Sequence, residues 1–201
     1  MNMIPNDARK ITVLVSSGID STLLLYLLAK EIHENKLNVH LDCVSYRGGT
    51  VRPSYVRAII SWIQEKFPLT ITYNCSAPRD WIRNVVRDVF NVCHSDYVFT
   101  GCNKVVTDQF IPTVYIPDDT PPVRGDPLNE RHIRPFIEWD KIEIVRKYIE
   151  YDLLDLLKMT ASCGVSYNEC GGCYFCMEKI WATKILGINE MFSYTNNINN
   201  R

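Results

Sequence analysis

The sequence predicts an α/β domain built on a doubly wound, mostly parallel β-sheet. Short segments rich in β-branched and aromatic residues alternate with longer segments whose apolar residues recur at helical spacing, and a cysteine-rich helical segment follows near the C terminus. Alternation of strands and helices favours parallel strands whose connecting helices cover both faces of the sheet. Such sheets bind their ligands beyond the carboxyl ends of the strands.

Four segments are predicted to be strands because each is short and rich in β-branched or aromatic residues. They span residues 10–16, 38–46, 69–74 and 96–100. Helices are predicted between them. Residues 21–34 are apolar nearly all round, as expected of a helix buried against a sheet, whereas 54–66 and 80–90 carry apolar residues at helical spacing and are interpreted as crossover helices.

Composition and charge describe an ordinary globular chain. The 201 residues are 46% hydrophobic and 22% charged, which is typical of one main domain. The formal net charge of -1 gives no overall attraction to nucleic acid, although Arg79, Arg83 and Arg87 form a candidate local patch. The longest apolar run, residues 23–29, is far shorter than a membrane span, and no export signal is recognised. We therefore expect a cytoplasmic protein without a membrane partner.

A turn rich in small residues follows the first predicted strand, within the stretch VLVSSGIDSTLLLYLLAKE. The first N–H groups of a helix lack internal acceptors and carry the positive end of its dipole, so small residues there let an anion reach the backbone. Gly18 supplies backbone freedom, and the hydroxyls of Ser16, Ser21 and Thr22 add donors. The stretch lacks the Gly-Lys-Ser/Thr ending of the nucleoside-triphosphate P-loop. The alternative is that Asp20 or Ser21 only caps the helix.

The segment SSGIDST resembles the Ser-Gly-Gly-x-Asp-Ser signature of the PP-loop family of ATP pyrophosphatases. By this resemblance the turn would bind the phosphates of ATP, and Asp20 would also meet Mg²⁺. Ser17 departs from the signature, which has a second glycine at that position, and its side chain would either crowd the phosphates or donate one more hydrogen bond. The residues that the resemblance assigns to ATP are Ser16, Ser17, Gly18, Asp20, Ser21 and Thr22.

Four cysteines near the C terminus follow the spacing C-x6-C-x2-C-x2-C within SCGVSYNECGGCYFCMEKIWA. They are Cys163, Cys170, Cys173 and Cys176. Four thiolates complete a tetrahedral zinc shell with no open position, so the spacing predicts a structural Zn²⁺ site. An iron–sulfur cluster uses the same ligands, and buried free thiols are the third interpretation. The other cysteines are predicted to be ordinary buried thiols: Cys43, Cys75, Cys93 and Cys102.

The combination of both motifs most resembles the 7-cyano-7-deazaguanine synthase family of queuosine-precursor synthesis. RPFIEWDKIEIVRKYIE resembles that family's Thr-Pro-Leu and Lys-x-Glu-Ile-Val stretch, which implies Lys141 near the phosphates and Pro135 beside the substrate. FTGCN resembles its Gly-x-Asn, which implies Gly101 and Asn103 at the site, and Tyr46 matches a tyrosine after its second strand. From the residues alone, Lys141 fits a solvated helix face equally well.

The resemblance implies an ATP-dependent ligase that forms C–N bonds and releases AMP and pyrophosphate. The carboxylate of a purine-like small molecule, 7-carboxy-7-deazaguanine or a relative, would attack the α-phosphorus of ATP. Ammonia would then displace AMP from the acyl adenylate, giving an amide and after a second activation a nitrile. Asp20 and Lys141 are assigned to catalysis, and ATP, Mg²⁺ and Zn²⁺ are the expected bound groups. A homodimer is compatible with this assignment, and nucleic acid is not an expected partner.

The resemblance also implies a division of the chain. Residues 1–158 would form the PP-loop ATP-binding domain, with a Rossmann-like fold similar to the adenine nucleotide alpha hydrolases. Residues 159–187 would form the zinc-binding segment packed on it, and residues 188–201 a flexible tail.

The segment KVVTDQFIPTVYIPDDTPPVRGDP departs most from the resembled family. Its candidate ligand contacts are Asp118, Asp119, Arg124 and Asp126, although a Pro- and Asp-rich surface loop is the alternative interpretation. Two other functions also stay open. A PP-loop sulfur transferase or sulfonucleotide reductase joins such a loop to cysteines, and a noncatalytic nucleotide-binding module would result if Ser17 disables turnover.

Overall fold

A five-stranded parallel sheet forms the centre of the molecule. The computed structural model describes residues 2–46, 53–76, 82–106, 108–113, 126–166 and 168–192. The strands are β1 (Lys10–Leu14), β2 (His40–Tyr46), β3 (Ile71–Ser76), β4 (Tyr97–Thr100) and β5 (His132–Ile133). Their order across the sheet is β3-β2-β1-β4-β5, and every pairing among the described strands is parallel.

The first three helices alternate with the strands as the sequence predicts. The helices are α1 (Ile19–Glu34), α2 (Pro53–Lys66), α3 (Ile82–Cys93), α4 (Lys141–Glu150), α5 (Leu154–Lys158) and α6 (Tyr174–Ile185), followed by a 3₁₀ turn at Asn189–Met191. Within the described part of the chain, no helix has the length and apolar character needed to cross a membrane.

Helices cover both faces of the sheet. Successive β1 side chains point to opposite faces: Val13 belongs to the larger core, which includes α1, α2, α4 and α5, and Leu14 belongs to the smaller core under α3. In the smaller core Val85 and Val86 of α3 are buried together with Leu14. The predicted fold class, a doubly wound parallel sheet, is confirmed.

The chain reverses direction across the sheet between β1 and β4. It first runs outward through β1, β2 and β3, and then returns to the other side of β1 to form β4 and β5. The loops that leave β1 and β4 therefore diverge, which opens a crevice beyond their carboxyl ends. The β1–α1 loop, residues 15–18, lies at this crevice together with Gly101, which follows β4.

Some predicted boundaries are wrong for local reasons. Helix α1 begins at Ile19 rather than at residue 21, and β1 ends at Leu14 because residues 16–18 form the turn. Helix α3 continues past residue 90 to Cys93. Strand β5 was not predicted, because a two-residue strand lacks any periodic signal.

The remaining predicted features fall partly outside the described residues. Of the predicted tail, Ile188 and Phe192 pack against the larger core, and residues 193–201 lie outside the described part. Among the cysteines expected to be ordinary buried thiols, Cys43 is buried, whereas Cys93 and Cys102 are half-buried. The side chain of Cys75 lies outside the described structure.

Candidate functional site

Ser17 fixes the shape of the β1–α1 loop. Its φ of 64° is left-handed, a conformation that glycine adopts more readily than serine. The Ala161 N–H donates to the Ser17 carbonyl at 2.9 Å, and the Ser17 hydroxyl donates to the Ala161 carbonyl at 3.4 Å. The side chain that stands where the PP-loop signature has glycine is therefore bonded to the segment that leads into the cysteines.

Helix α1 begins without a cap from its own N-terminal residues. Its N-cap residue is Gly18, and neither Asp20 nor Ser21 accepts a hydrogen bond from an N–H of the first turn, so the interpretation of Asp20 or Ser21 as a simple cap is wrong. The Ile19 N–H donates to the Ser162 hydroxyl at 3.3 Å. Within the described residues, the N–H groups of Asp20 and Ser21 have no acceptor, so the first turn retains donors for an anion.

Hydroxyl groups of the loop and of the first turn of α1 form hydrogen bonds with each other and with the loop backbone. The Ser16 N–H donates to the Ser21 hydroxyl at 3.1 Å, and the two serine hydroxyl oxygens are 3.2 Å apart. The Gly18 N–H donates to the Ser16 hydroxyl at 3.3 Å, while Thr22 is buried at the first backbone bond of the helix. These hydroxyls line the loop beside the open end of α1.

Gly101 allows β4 to approach α1. A Cβ added to Gly101 would lie 2.8 Å from the carbonyl carbon of Asp20 and 2.8 Å from the backbone nitrogen of Ser21. No larger residue fits this contact without backbone movement, so Gly101 acts here through packing. Asn103, the other residue predicted from FTGCN, is fully buried and donates to the Lys104 carbonyl at 3.3 Å.

Lys141 reaches the first turn of α1 from the first position of α4. Its Nζ lies 2.6 Å from each carboxylate oxygen of Asp20 and 3.0 Å from Glu178 Oε2. A capping box between Asp140 and Glu143 starts α4 at Lys141 and thereby sets the direction of this side chain. The Lys141 side chain is only 4% exposed, so the alternative of a solvated helix face is wrong.

Charge compensation keeps the buried lysine protonated. Burial alone would lower the pKa of Lys141, but attraction to Asp20 and Glu178 outweighs burial and raises that pKa above its usual value. The Glu178 side chain is 2% exposed, whereas the Asp20 side chain is 21% exposed. Of these three charged groups, Asp20 is the one that solvent reaches.

Two tyrosines support this charged group. The Tyr148 hydroxyl donates to the Ile19 carbonyl at 2.7 Å, and burial followed by the nearby charge of Asp20 raises the pKa of Tyr148, so it remains a donor. The Tyr174 hydroxyl donates to the Val106 carbonyl at 2.9 Å and lies 3.5 Å from Glu178 Oε1.

The four C-terminal cysteines come together as their spacing predicts. All four Sγ atoms lie within 4.8 Å of one another, and each of two sulfur pairs, Cys163 with Cys173 and Cys170 with Cys176, is 4.0 Å apart. The N–H groups of Val165 and Ser166 donate to Cys163 Sγ at 3.4 Å and 3.3 Å. This arrangement, called the cysteine cluster below, could bind a metal ion.

The thiols of the cysteine cluster share protons unequally. Hydrogen bonds from Cys173 and Cys176 lower the pKa of the Cys163 thiol well below its usual range, although burial opposes them. The same hydrogen bonding to Cys163, together with burial, raises the pKa of Cys173 to about 12. One thiolate is therefore favoured before a metal displaces the other protons.

A second buried lysine connects the cysteine cluster to the β1–α1 loop. Lys179 Nζ lies 3.0 Å from Glu169 Oε1 and 3.2 Å from the Thr160 carbonyl. The same Glu169 oxygen accepts the Ser162 N–H at 3.0 Å. Burial lowers the pKa of Lys179 despite the attraction of Glu169.

A histidine of β5 contacts the last residue of β4. The Leu128 N–H donates to His132 Nδ1 at 3.2 Å, so Nε2 carries the proton and is 3.0 Å from the Thr100 hydroxyl. Burial, assisted by Arg134, lowers the pKa of His132 to about 4. The ring is therefore neutral near pH 7.

The remaining predicted site residues are placed only in part. Tyr46 ends β2, and its side chain is not among those described. Pro135 is half-buried shortly after β5, and Asp126 is exposed. Three candidate contacts lie outside the described residues: Asp118, Asp119 and Arg124.

The residues that join these parts were not predicted from the sequence; they are Ser162, Glu169, Glu178, Lys179 and Tyr148. Glu178 and Lys179 lie two and three residues after the last predicted metal ligand, Cys176, on a helix, where charged residues usually indicate a solvated face. Only the packing of α6 against α4 reveals that both are buried.

Comparison with known proteins agrees with the observed topology. A solved structure, "U34-tRNA thiolase NcsA from Methanococcus maripaludis with its [4Fe-4S] cluster", is similar to this chain with a TM-score of 0.50 and 13% sequence identity. The similarity covers 95% of this chain and 68% of that chain. At this identity the likeness shows a shared fold. No family profile and no curated protein sequence matches the chain.

Proposed function

We propose that the chain is a PP-loop protein that binds ATP with Mg²⁺ at residues 16–22 and cleaves it between the α- and β-phosphates. The Lys141–Asp20 ion pair carries this proposal, because it brings a buried cation to the first turn of α1 from 121 residues away. The N–H groups of Asp20 and Ser21, which have no acceptor within the described residues, support it, and so does the fold shared with NcsA.

The residues of the site have distinct roles in this proposal. The N–H groups at the start of α1 and the ammonium of Lys141 balance the charge of the phosphates. When Asp20 releases Lys141 to bind a ligand, Glu178 stays beside Lys141 and thereby keeps the lysine protonated. Because no side chain has to act as a nucleophile, catalysis depends on alignment and charge neutralisation.

Asp20 fits the requirement for a magnesium ligand. Mg²⁺ binds proteins through one or two carboxylates together with substrate phosphates, and Asp20 presents a partly exposed carboxylate beside the β1–α1 loop. Bound Mg²⁺ would neutralise phosphate charge during transfer.

We further propose a carboxylate as the acceptor and ammonia as the second substrate, with a purine-like acid such as 7-carboxy-7-deazaguanine as the first compound to test. Attack of the carboxylate oxygen on the α-phosphorus forms an acyl adenylate and releases pyrophosphate. Ammonia then attacks the acyl carbon, loses a proton and expels AMP. The basis for this acceptor is the resemblance of both sequence motifs to the 7-cyano-7-deazaguanine synthase family.

For the cysteine cluster we propose one structural Zn²⁺. A tetrahedral site with Zn–S bonds of about 2.3 Å places its sulfurs about 3.8 Å apart. Two of the sulfur pairs are 4.0 Å apart, and all four sulfurs lie within 4.8 Å of one another. A [4Fe–4S] cluster binds each cysteine to a different iron, and a [2Fe–2S] cluster divides four cysteines between two irons. Both therefore require wider separations between some of the sulfurs than the 4.8 Å within which all four lie here. The four ligands leave no open position, and the metal would therefore support folding rather than the reaction.

Sulfur transfer is the second candidate function. It is favoured by the shared fold with NcsA, whose title names a tRNA thiolase with a [4Fe-4S] cluster, and by the presence here of four clustered cysteines. Visible absorbance and iron and sulfide in anaerobically prepared protein, together with sulfur incorporation into tRNA, would favour this candidate over the ligase.

Product analysis tests the proposed reaction. The protein is incubated with Mg²⁺-ATP, ammonia and 7-carboxy-7-deazaguanine, and the nucleotides and purine products are separated and identified by mass spectrometry. We expect AMP and pyrophosphate in equal amounts with the amide or nitrile product. Formation of ADP would refute the assigned cleavage, and ATP binding without products for any acceptor would favour the noncatalytic module.

A matched pair of aspartate variants makes the test specific. Asp20→Asn keeps the size of the side chain but removes the charge that would hold Mg²⁺, so AMP formation should fall by about 100-fold or more. Asp155→Asn removes an exposed charge from α5 and should leave AMP formation unchanged. Equal rates in both variants would contradict the role of Asp20.

A further inference from the structure

Helix α6 connects the cysteine cluster to the proposed nucleotide site. Cys173 is the N-cap residue of this helix and Cys176 lies in its first turn. Glu178 and Lys179 follow on the same helix, and both are almost fully buried. Glu178 contacts Lys141, whereas Lys179 holds the segment before the first cysteine.

Each half of the cysteine cluster is also adjacent to a residue that supports the start of α1, Ser162 by direct contact and Glu169 through Ser162. Ser162 precedes Cys163, and its hydroxyl accepts the Ile19 N–H at the start of α1. Glu169 precedes Cys170, and its carboxylate accepts both the Ser162 N–H and the ammonium of Lys179. An ion that fixes the four sulfurs therefore also fixes the relative positions of these segments.

The β1–α1 loop depends on this support. Ser17 has a left-handed backbone conformation, which a serine retains only where its surroundings hold it. Those surroundings are the two hydrogen bonds to Ala161, and Ala161 lies between Thr160 and Ser162. Both of these neighbours are held by Lys179 and Glu169.

We propose that Lys179 and Glu169 are positioning residues through which metal binding at the cysteine cluster orders the β1–α1 loop for nucleotide. Only the part of this inference that concerns nucleotide binding rests on the proposed function. Without the metal, the segment around Ala161 loses its anchor, the loop samples other conformations, and affinity for Mg²⁺-ATP falls because the binding conformation is populated less.

Amide hydrogen exchange tests the ordering without any nucleotide. The amides of Ala161 and Ile19 report on the two contacts between the loop and this segment. We expect both amides to exchange about tenfold faster after Zn²⁺ is removed with a chelator, and also in metal-loaded Lys179→Met. Lys184→Met, which changes an exposed lysine on the same helix, should exchange like the wild type.

Calorimetry with Mg²⁺-ATP tests the consequence for binding. Lys179→Met with one zinc per chain should bind Mg²⁺-ATP about tenfold more weakly than the wild type and Lys184→Met. If Lys179→Met does not fold, Glu169→Ala serves instead, because Glu169 is partly exposed; the exposed Glu190→Ala is its control. Metal content and far-UV circular dichroism are measured for every variant.

The outcomes separate this inference from the proposed function. If the amides of Ala161 and Ile19 exchange at the wild-type rate in metal-free protein and in Lys179→Met, the inference is overturned. If they exchange faster while the affinity for Mg²⁺-ATP stays unchanged, the part of the inference that concerns nucleotide binding is overturned. If the wild type binds no Mg²⁺-ATP, the proposed function fails, and the exchange rates alone decide whether the cysteine cluster orders the loop.

Discussion

Replacing Lys141 by methionine should destabilise the protein far more than replacing an exposed lysine does. Methionine keeps a long flexible side chain but removes the ammonium that contacts Asp20 and Glu178. Because Glu178 is buried, water cannot solvate its carboxylate in place of the lost cation. Breaking a buried ion pair in this way costs about 3–5 kcal/mol. That is a large share of the total of about 5–15 kcal/mol that stabilises a typical domain.

Urea unfolding at pH 8, followed by circular dichroism, measures this cost. The control is Lys158→Met, because Lys158 and Asp155 form an exposed pair at 3.1 Å whose loss should cost at most about 1 kcal/mol. For a chain of this length each kcal/mol shifts the melting temperature by about 2–4 °C, so Lys141→Met should melt about 6–20 °C lower. A loss no larger than that of Lys158→Met would refute the reasoning.

Lowering the pH should reduce the difference in the free energy of unfolding between Lys141→Met and the wild type. In the variant the charged carboxylate of Glu178 is buried without its cation, which destabilises the folded state. The folded variant therefore binds a proton at Glu178 more readily than the unfolded chain does. The stability of the variant relative to the wild type therefore rises as pH falls from 8 towards 5. The double variant Lys141→Met/Glu178→Gln should recover at least half of the loss at pH 8, because glutamine removes the buried charge. A loss that neither pH nor this second change affects would indicate that packing, not charge, is responsible.

Three further predictions concern other parts of the site. Cys173→Ser should reduce bound zinc from one per chain to near zero in elemental analysis and lower the melting temperature, and retention of zinc would contradict the metal site. Gly101→Ala should cost about 1–3 kcal/mol in urea unfolding because its Cβ would meet the α1 backbone at 2.8 Å, and wild-type stability would contradict that contact. Since the pKa of His132 is lowered to about 4, the folded state resists a proton that the unfolded chain accepts near pH 6.5, so stability is lost as pH falls from about 6.5 to 4. His132→Asn should lose about 1 kcal/mol less stability than the wild type over this pH range, a value discounted for the half-exposed ring. Equal losses of stability in the two proteins would refute the lowered pKa of His132.

Local patterns were sufficient to predict the sheet and the cysteine cluster. Strand β1 and the apolar helix α1 have distinct periodicities, and the turn between them is marked by small residues. The four cysteines lie within fourteen residues, so their spacing alone predicts convergence on one ion. In both cases the information lies within one short segment.

Contacts between distant segments could not be predicted in the same way. Lys141 follows an N-cap aspartate, and the same pattern would start an exposed helix. Its burial depends on α6, which supplies Glu178 from 37 residues further along the chain. The close approach of Gly101 to α1 likewise depends on the pairing of β4 with β1. Sequence reasoning proposed Lys141 and Gly101 only through a family resemblance, and no resemblance pointed to Glu178.

The presence of a buried ion pair between α4 and α6 favours a functional role for it. An apolar group of the same volume in place of a buried ion pair is often neutral or stabilising, so stability alone does not favour Lys141 and Glu178 at the interface of α4 and α6. The arrangement is also asymmetric, because Glu178 is inaccessible and Asp20 is partly exposed. An anion that arrives at the start of α1 can therefore displace Asp20 from Lys141 while Glu178 remains in place. A lysine held between one permanent and one exchangeable carboxylate is suited to meeting the phosphates of a nucleotide, which is the role proposed for it here.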